Sequence, residues 1–164
     1  MQKGIATLEV ILAALIIALL MKVAVPNATK LIDRAALDYE TKRLYSELRF
    51  LQAMNRSAKF DLTGTGLSDV SGEYVSIKFT DKSYQVVRGL SYTGSAVREA
   101  HYLSHGEKFS WKYSKTLKPI SNDRSGNFDV KSDTLILTSR LGNKNRLVFN
   151  SVGRLRALLK VGNL

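Results

Sequence analysis

The sequence predicts an α+β protein in which a long N-terminal helix packs on an antiparallel β-sheet domain. Two observations lead to this prediction. The first third of the chain is apolar and then amphipathic with a helical period, whereas the rest consists of short alternating segments separated by turn residues. A helix followed by a series of strands is typical of α+β domains. With 164 residues, the chain can hold one membrane helix and one small domain.

The helix begins with a nearly unbroken apolar segment from Ile5 to Val25. About 20 apolar residues cross a bilayer as a helix, so this segment is predicted to span a membrane. Glu9 lies inside it, where a carboxylate costs about 2.5–3.5 kcal/mol. Neither a secretory signal peptide nor a simple membrane tether explains why Gly4 is followed five residues later by an acid. Glu9 is therefore a candidate functional residue that needs a partner.

This start resembles that of type IV pilins and type II secretion pseudopilins. The motif is Lys3-Gly4 followed by Ile5-Ala6-Thr7-Leu8-Glu9-Val10, although the family usually has phenylalanine where Ile5 stands. In that family, prepilin peptidase removes a short basic leader after the glycine and methylates the new N-terminal amine. The resemblance implies cleavage between Gly4 and Ile5 and N-methylation of Ile5. It also implies that Glu9 pairs with the amine of a neighbouring subunit during filament assembly.

The resemblance and the hydropathy pattern together divide the chain into four parts. Residues 1–4 are the leader, 5–26 the transmembrane and assembly helix, 27–60 the amphipathic second half of the helix, and 61–164 a β-rich domain with a basic C-terminal tail. The protein is expected in the bacterial inner membrane, with a single pass and its globular domain outside the cytoplasm, in the periplasm or in a cell-surface filament. Its expected partners are prepilin peptidase and other pilins or pseudopilins.

The second half of the helix has one apolar stripe. Its members recur at spacings of four and three residues, the period of a helix with a single buried face. They are Leu37, Thr41, Leu44, Leu48, Leu51, Asn55 and Ala58. Charged residues such as Glu40 occupy the other faces and are predicted to be exposed. Pro26 lacks an N–H donor and is expected to loosen the helix, which is predicted to end near Lys59.

Alternating apolar and polar residues predict five to seven antiparallel strands after the helix. The candidates are Glu73–Phe79, Tyr84–Arg88, Lys108–Tyr113, Thr134–Thr138, Arg146–Asn150 and Leu155–Val161. Thr80-Asp81-Lys82-Ser83 is predicted to be a hairpin turn, Gly142-Asn143 a second turn, and residues 121–127 a loop. Since the chain has no cysteine, strand pairing and burial alone must hold these strands.

The C-terminal part carries a second resemblance. Residues 133–138 and 146–156 are similar to the FimT/GspH group of minor pilins and pseudopilins. Members of this group that serve natural transformation bind DNA through a Gly-Arg-x-Arg tail. Gly153-Arg154-Leu155-Arg156 fits that pattern.

Charge supports the same interpretation independently. The chain has a formal net charge of +11, and Asp133 is the last acidic residue in the sequence. Six cations follow it: Arg140, Lys144, Arg146, Arg154, Arg156 and Lys160. A segment of one charge sign attracts polyanions without sequence preference, so these six residues form the candidate DNA-binding site. Arg154 and Arg156 are expected on one face of a strand, where two guanidinium groups can clamp neighbouring phosphates.

Two functions stay open on the sequence. One is a minor pilin that binds DNA through this tail during natural transformation. The other is a structural GspH-like pseudopilin of a type II secretion system that binds no DNA. His101 and His105 are predicted to lie on a strand that runs into a turn, so they are not expected to share a metal ion. The sequence shows no nucleophile elbow, phosphate loop or supported carboxylate pair, and we predict no enzyme activity, metal or cofactor.

Overall fold

One α-helix and eight β-strands form the described part of the computed structural model, which comprises residues 2–57, 75–89, 95–114, 116–122, 125–130, 132–150 and 152–159. The helix α1 spans Gln2–Ser57. The strands are β1 (Val75–Thr80), β2 (Ser83–Arg88), β3 (His101–Tyr102), β4 (Lys108–Trp111), β5 (Ile120–Ser121), β6 (Thr134–Thr138), β7 (Lys144–Phe149) and β8 (Leu155–Leu158). All named strand pairs are antiparallel, which confirms the predicted α+β class.

The helix α1 is continuous through Pro26, where the sequence predicted that it would loosen. Thr29 follows Pro26 by three residues, and its hydroxyl donates a hydrogen bond to the Pro26 carbonyl oxygen at 2.9 Å. The predicted helix end at Lys59 lies outside the described residues. α1 therefore connects the apolar N-terminal segment to the domain as one element.

The predicted apolar stripe is confirmed as the buried face of α1. Four leucines of the stripe are at most 2% exposed: Leu37, Leu44, Leu48 and Leu51. Burying one such side chain contributes about 1.5–3 kcal/mol, so this face supplies much of the attachment between α1 and the sheets. Ala58, the last predicted member, lies outside the described residues.

The two polar members of the stripe tie α1 to the strands by hydrogen bonds. Asn55 is fully buried, and its side chain accepts from the Val75 N–H at 2.9 Å and donates to the Val75 carbonyl at 2.9 Å. Thr41 accepts a hydrogen bond from the Asn145 amide at 3.1 Å. These bonds satisfy polar groups whose burial alone would cost free energy.

The prediction that Glu40 is exposed was wrong. Glu40 is 3% exposed, and its Oε2 lies 2.7 Å from Nε2 of His101 in β3. Helical spacing locates Glu40 next to the stripe but gives no information about which strand covers that flank. His101 supplies the partner that a buried carboxylate requires.

The strands form two four-stranded sheets. The first has the order β3-β2-β1-β5 and the second β4-β6-β7-β8. Aromatic side chains join them: Phe79 of β1 meets two rings of β4 edge to face, with ring centroids 5.3 Å apart for Phe109 and 6.5 Å apart for Trp111. Such contacts add to the stabilisation from area burial.

The predicted strands are confirmed with shifted bounds, but the described residues form eight strands, one more than the upper limit of the five to seven that were expected. The strand predicted from Arg146 begins earlier, at Lys144, and the last strand ends at Leu158. Ser121, which was assigned to a loop, lies in β5 and pairs with Ser76 of β1. A two-residue strand such as β5 exists only because a longer neighbour pairs with it, so local sequence carries little signal for it.

Candidate functional site: the basic face of the second sheet

The outward face of the second sheet is basic. Along β7, Lys144 and Arg146 are exposed whereas Asn145 and Leu147 are buried, because alternate side chains of a strand point to opposite faces. Arg156 of β8 is exposed in the same way. None of the strands β4, β6, β7 and β8 contains an aspartate or glutamate. We call this surface the basic face.

The strand register brings three predicted cations together on the basic face. Arg146 pairs with Leu158 and Val148 pairs with Arg156. Arg146 and Arg156 are therefore diagonal neighbours on adjacent strands, at a separation of about 7–8 Å. Lys144 lies two residues from Arg146, which is about 7 Å along the strand. A polyanion lying on this face therefore meets positive charges about 7–8 Å apart.

Sequence reasoning missed a fourth cation of the basic face. Lys108 of β4 pairs with Thr138 of β6, which in turn pairs with Lys144 of β7. Two strand spacings, about 10 Å, separate the two lysines. The alternation around Phe109 indicated that Lys108 points outward, but the sequence does not show that β4 lies beside β6.

The remaining predicted cations lie at the two ends of the strands. Arg140 is exposed in the turn between β6 and β7, and Arg154 is exposed just before β8. Arg154 and Arg156 flank the buried Leu155, so both are exposed as expected, although only Arg156 lies in a strand. Lys160 lies outside the described residues. The ion pairs found within the described ranges, Arg98–Glu47 and His101–Glu40, involve none of the predicted cations.

Gly153, the first residue of the Gly-Arg-x-Arg motif, has a structural role that the sequence did not reveal. It has a φ of +73°, and a Cβ there would lie 2.8 Å from the carbonyl carbon of Gly126 and closer still to its oxygen. Gln52 of α1 is 3% exposed and donates to the carbonyl oxygens of both glycines at 2.9 Å. The glycine thus fixes the turn between β7 and β8 to the helix and determines where Arg154 is placed.

A groove with a volume of about 320 Å³ opens at the other end of the basic face. Its lining combines two cations with two leucines: Gly142, Asn143, Lys144, Arg146, Leu158 and Leu159. The groove offers both positive charge and apolar surface to a ligand.

Two solved structures resemble this arrangement of helix and sheets. The type IV minor pilin FimU of Pseudomonas aeruginosa aligns with a TM-score of 0.54 and 14% identity, over 77% of this chain and 90% of FimU. The minor pseudopilin EpsH of the Type 2 Secretion System of Vibrio cholerae aligns with a TM-score of 0.52 and 13% identity, over 76% of this chain and 98% of EpsH. No protein-family profile and no curated protein sequence matches the chain.

The chain has a type IV pilin-like fold. Identities of 13–14% establish the fold and nothing finer. The likeness confirms the resemblance to pilins and pseudopilins that the N-terminal motif indicated.

The pilin-like helix α1 also carries the predicted processing and assembly residues. Gly4, Ile5 and Glu9 lie near its start, and Glu9 is exposed, as are all side chains from residue 8 to residue 32. By length and composition, this is the one helix among the described residues that could cross a membrane. Cleavage after Gly4, methylation of Ile5 and pairing of Glu9 stay predictions.

The two histidines of the pilin-like domain have separate partners. His101 contacts Glu40, whereas Nδ1 of His105 lies 2.8 Å from the Ser104 hydroxyl. Within the described ranges, no three His, Cys, Asp or Glu side chains are grouped so as to hold a metal ion.

Proposed function

We propose that the protein is a minor pilin or pseudopilin subunit of a type IV pilus-like filament, anchored in the inner membrane before assembly. The observation that carries this proposal is the exposure of every described side chain from residue 8 to residue 32. An apolar helix surface of this length, uncovered by its own domain, requires lipid around it and then the helices of neighbouring subunits. The pilin-like fold supports this role.

Glu9 sets the register between neighbouring subunits in this proposal. It is the one acidic residue between positions 8 and 32, and a carboxylate in hydrocarbon is stable only beside a cation. The amine that prepilin peptidase creates at Ile5 of the next subunit supplies that cation. Removal of one partner leaves the other charge buried and uncompensated, which costs about 3–5 kcal/mol.

Glu9→Gln tests this step, because the substitution removes the charge and retains the size of the side chain. We expect the full-length variant to be processed after Gly4 and to stay in the membrane, as mass spectrometry of membrane fractions will show. It should be absent from sheared filaments. Lys30→Gln removes a charge from the exposed part of α1 and serves as the control that enters filaments. Recovery of Glu9→Gln in filaments at the wild-type level would contradict the assembly role.

We further propose that the basic face binds DNA without sequence preference during natural transformation. Lys144, Arg146 and Arg156 offer neighbouring positive charges, and Lys108 extends the face by two strands. Their strands contain no acidic residue that would repel phosphates. Arginine binds phosphate with two parallel N–H donors, which suits contacts to the DNA backbone.

DNA binding is best measured on residues 27–164 across a salt series. The side chains that this truncation removes are exposed where they are described, so the domain keeps its buried contacts with α1. The logarithm of the affinity should fall linearly with the logarithm of the salt concentration, and Arg154→Ala/Arg156→Ala should flatten that slope by about 2. Lys42→Ala/Arg88→Ala removes the same charge from α1 and β2 and should leave the slope nearly unchanged.

A structural pseudopilin of a type II secretion system that binds no DNA is the alternative, and the likeness to EpsH favours it. Lack of binding by the wild-type fragment at low salt would support this alternative. If Lys42→Ala/Arg88→Ala weakens DNA binding as much as Arg154→Ala/Arg156→Ala does, the net charge of the domain, and not the basic face, governs binding.

A further inference from the structure

The turn between β6 and β7 lies at the membrane-facing end of the domain. The Asp33 carboxylate of α1 accepts hydrogen bonds from the Ser139 hydroxyl at 2.6 Å, the Asn143 amide at 3.0 Å and the backbone N–H of Leu141. Asp33 follows Val25, the end of the predicted span, by eight helical positions. At a rise of 1.5 Å per residue, the turn lies only about 12 Å beyond the hydrocarbon.

This turn surrounds one exposed leucine with cations. Leu141 is 49% exposed, Arg140 precedes it, and Lys144 follows at the start of β7. Lys30 and Arg34 are exposed on the adjoining part of α1. The groove of about 320 Å³ begins at the same turn. An apolar residue among cations is the composition of a segment that rests on an anionic lipid surface.

The Gly-Arg-x-Arg motif lies at the opposite end of the domain. Gln52, which holds Gly153, follows Asp33 by 19 positions, or about 28 Å along the helix axis. Lipid headgroups extend about 5–8 Å beyond the hydrocarbon, and their attraction decays over about 8 Å at physiological salt. The turn is within that range and Arg154 is far outside it. Among the described cations of the C-terminal part, Arg140 and Lys144 are therefore membrane-proximal and Arg154 is membrane-distal.

We infer that the turn between β6 and β7 docks on anionic phospholipid headgroups of the bilayer that α1 enters. The inference rests on the proposed membrane span of α1. Arg140 and Lys144 bind lipid phosphates, and the side chain of Leu141 lies between these two cations at the surface of the bilayer. This contact fixes the orientation of the domain above the membrane before the subunit joins a filament.

The chain has no cysteine, so Leu141→Cys in the full-length protein gives one site for a fluorophore. The protein is reconstituted in nanodiscs of phosphatidylcholine, alone or mixed with phosphatidylglycerol, that contain headgroup-nitroxide lipid as a quencher. We expect quenching to rise severalfold in the anionic discs and to return to the neutral level at high salt. Val152→Cys, in the 68% exposed position beside Gly153, is the membrane-distal control that should show no lipid dependence.

Charge variants in the Leu141→Cys background locate the contact. Arg140→Ala/Lys144→Ala should abolish the lipid-dependent quenching, whereas Arg140→Lys/Lys144→Arg, which keeps both charges, should retain it. Arg154→Ala/Arg156→Ala should also retain it. Equal quenching in neutral and anionic discs would overturn the inference. So would a loss of lipid-dependent quenching in Arg154→Ala/Arg156→Ala as large as that in Arg140→Ala/Lys144→Ala.

Two further outcomes separate this inference from the proposed function. A chain that does not stay with the discs refutes the membrane span itself, and the lipid contact with it. If the chain stays with the discs and residues 27–164 bind DNA, but anionic discs quench the Leu141 label no more than neutral discs do, the lipid inference is wrong while the proposed function stands.

Discussion

Gly153→Ala tests whether the turn between β7 and β8 depends on its close approach to α1. Gly153 has a φ of +73°, and Gly142 in the turn between β6 and β7 has a φ of +83°. A left-handed backbone costs a residue with a side chain about 1–2 kcal/mol. Gly153→Ala and Gly142→Ala should therefore each lower the free energy of unfolding by at least this amount. Only Gly153 is crowded, since a Cβ at Gly142 would have no neighbour within 4 Å.

The additional cost at Gly153 arises from Gln52. To admit a methyl group, the backbone at Gly153 must move away from Gly126, and Gln52 donates to both carbonyls at 2.9 Å. Breaking these buried hydrogen bonds costs about 1 kcal/mol each. The expected loss is therefore about 3–4 kcal/mol for Gly153→Ala and about 1–2 kcal/mol for Gly142→Ala.

Urea unfolding of residues 27–164, followed by circular dichroism, measures both free energies. The double variant Gln52→Ala/Gly153→Ala completes a thermodynamic cycle. Because the displaced turn has already lost its bonds to Gln52, the double variant should lose about 1–2 kcal/mol less than the sum of the single variants. Equal destabilisation by the two glycine substitutions, or full additivity with Gln52→Ala, would refute the reasoning.

Two more predictions concern the polar contacts of α1. Asn55→Ala should destabilise the same fragment by about 3–5 kcal/mol in urea unfolding, since it removes hydrogen bonds to Val75 and leaves the Val75 N–H buried without an acceptor; a loss below about 1 kcal/mol would contradict this role. Burial alone would raise the pKa of Asp33, but its hydrogen bonds from the turn hold that pKa below the ordinary 3.8. The charged carboxylate therefore stabilises the fold above pH 3.8, and the stabilisation is lost as the pH falls below that value. In thermal unfolding, the melting temperatures of the wild type and of Asp33→Asn should converge below this pH. A difference in melting temperature that does not change with pH would contradict this role of Asp33.

The buried face of α1 could be predicted because helical geometry is local. Leu37 through Asn55 recur at the helical period, and that period alone determines that they share a face. Glu40 shows the limit of this reasoning. Its position beside the stripe follows from the period, but its burial depends on β3, which contains His101 and is 61 residues away in the sequence. Contacts of such separation leave no local pattern.

The candidate site was predictable in its composition and not in its arrangement. The absence of acids after Asp133 identified the basic segment. Strand order then decided which cations are neighbours: it added Lys108 to the basic face and placed Arg146 diagonal to Arg156. Gln52 had no signal at all in the sequence, because its importance comes from two glycine carbonyls that only the folded chain brings together.

The sequence by itself determined the apolar helix, the acid within it, the alternating strands and the one-signed charge of the C-terminal part, because each depends on residue type and short-range spacing. Only the tertiary structure decided how that charge is distributed. The Asp33 bonds hold the turn between β6 and β7 near the apolar N-terminal part of α1, and the Gln52 bonds hold Gly153 about 28 Å further along the helix. Arg140 and Arg154 are therefore far apart, because the turn before β7 is bound to Asp33 and the turn after β7 is bound to Gln52.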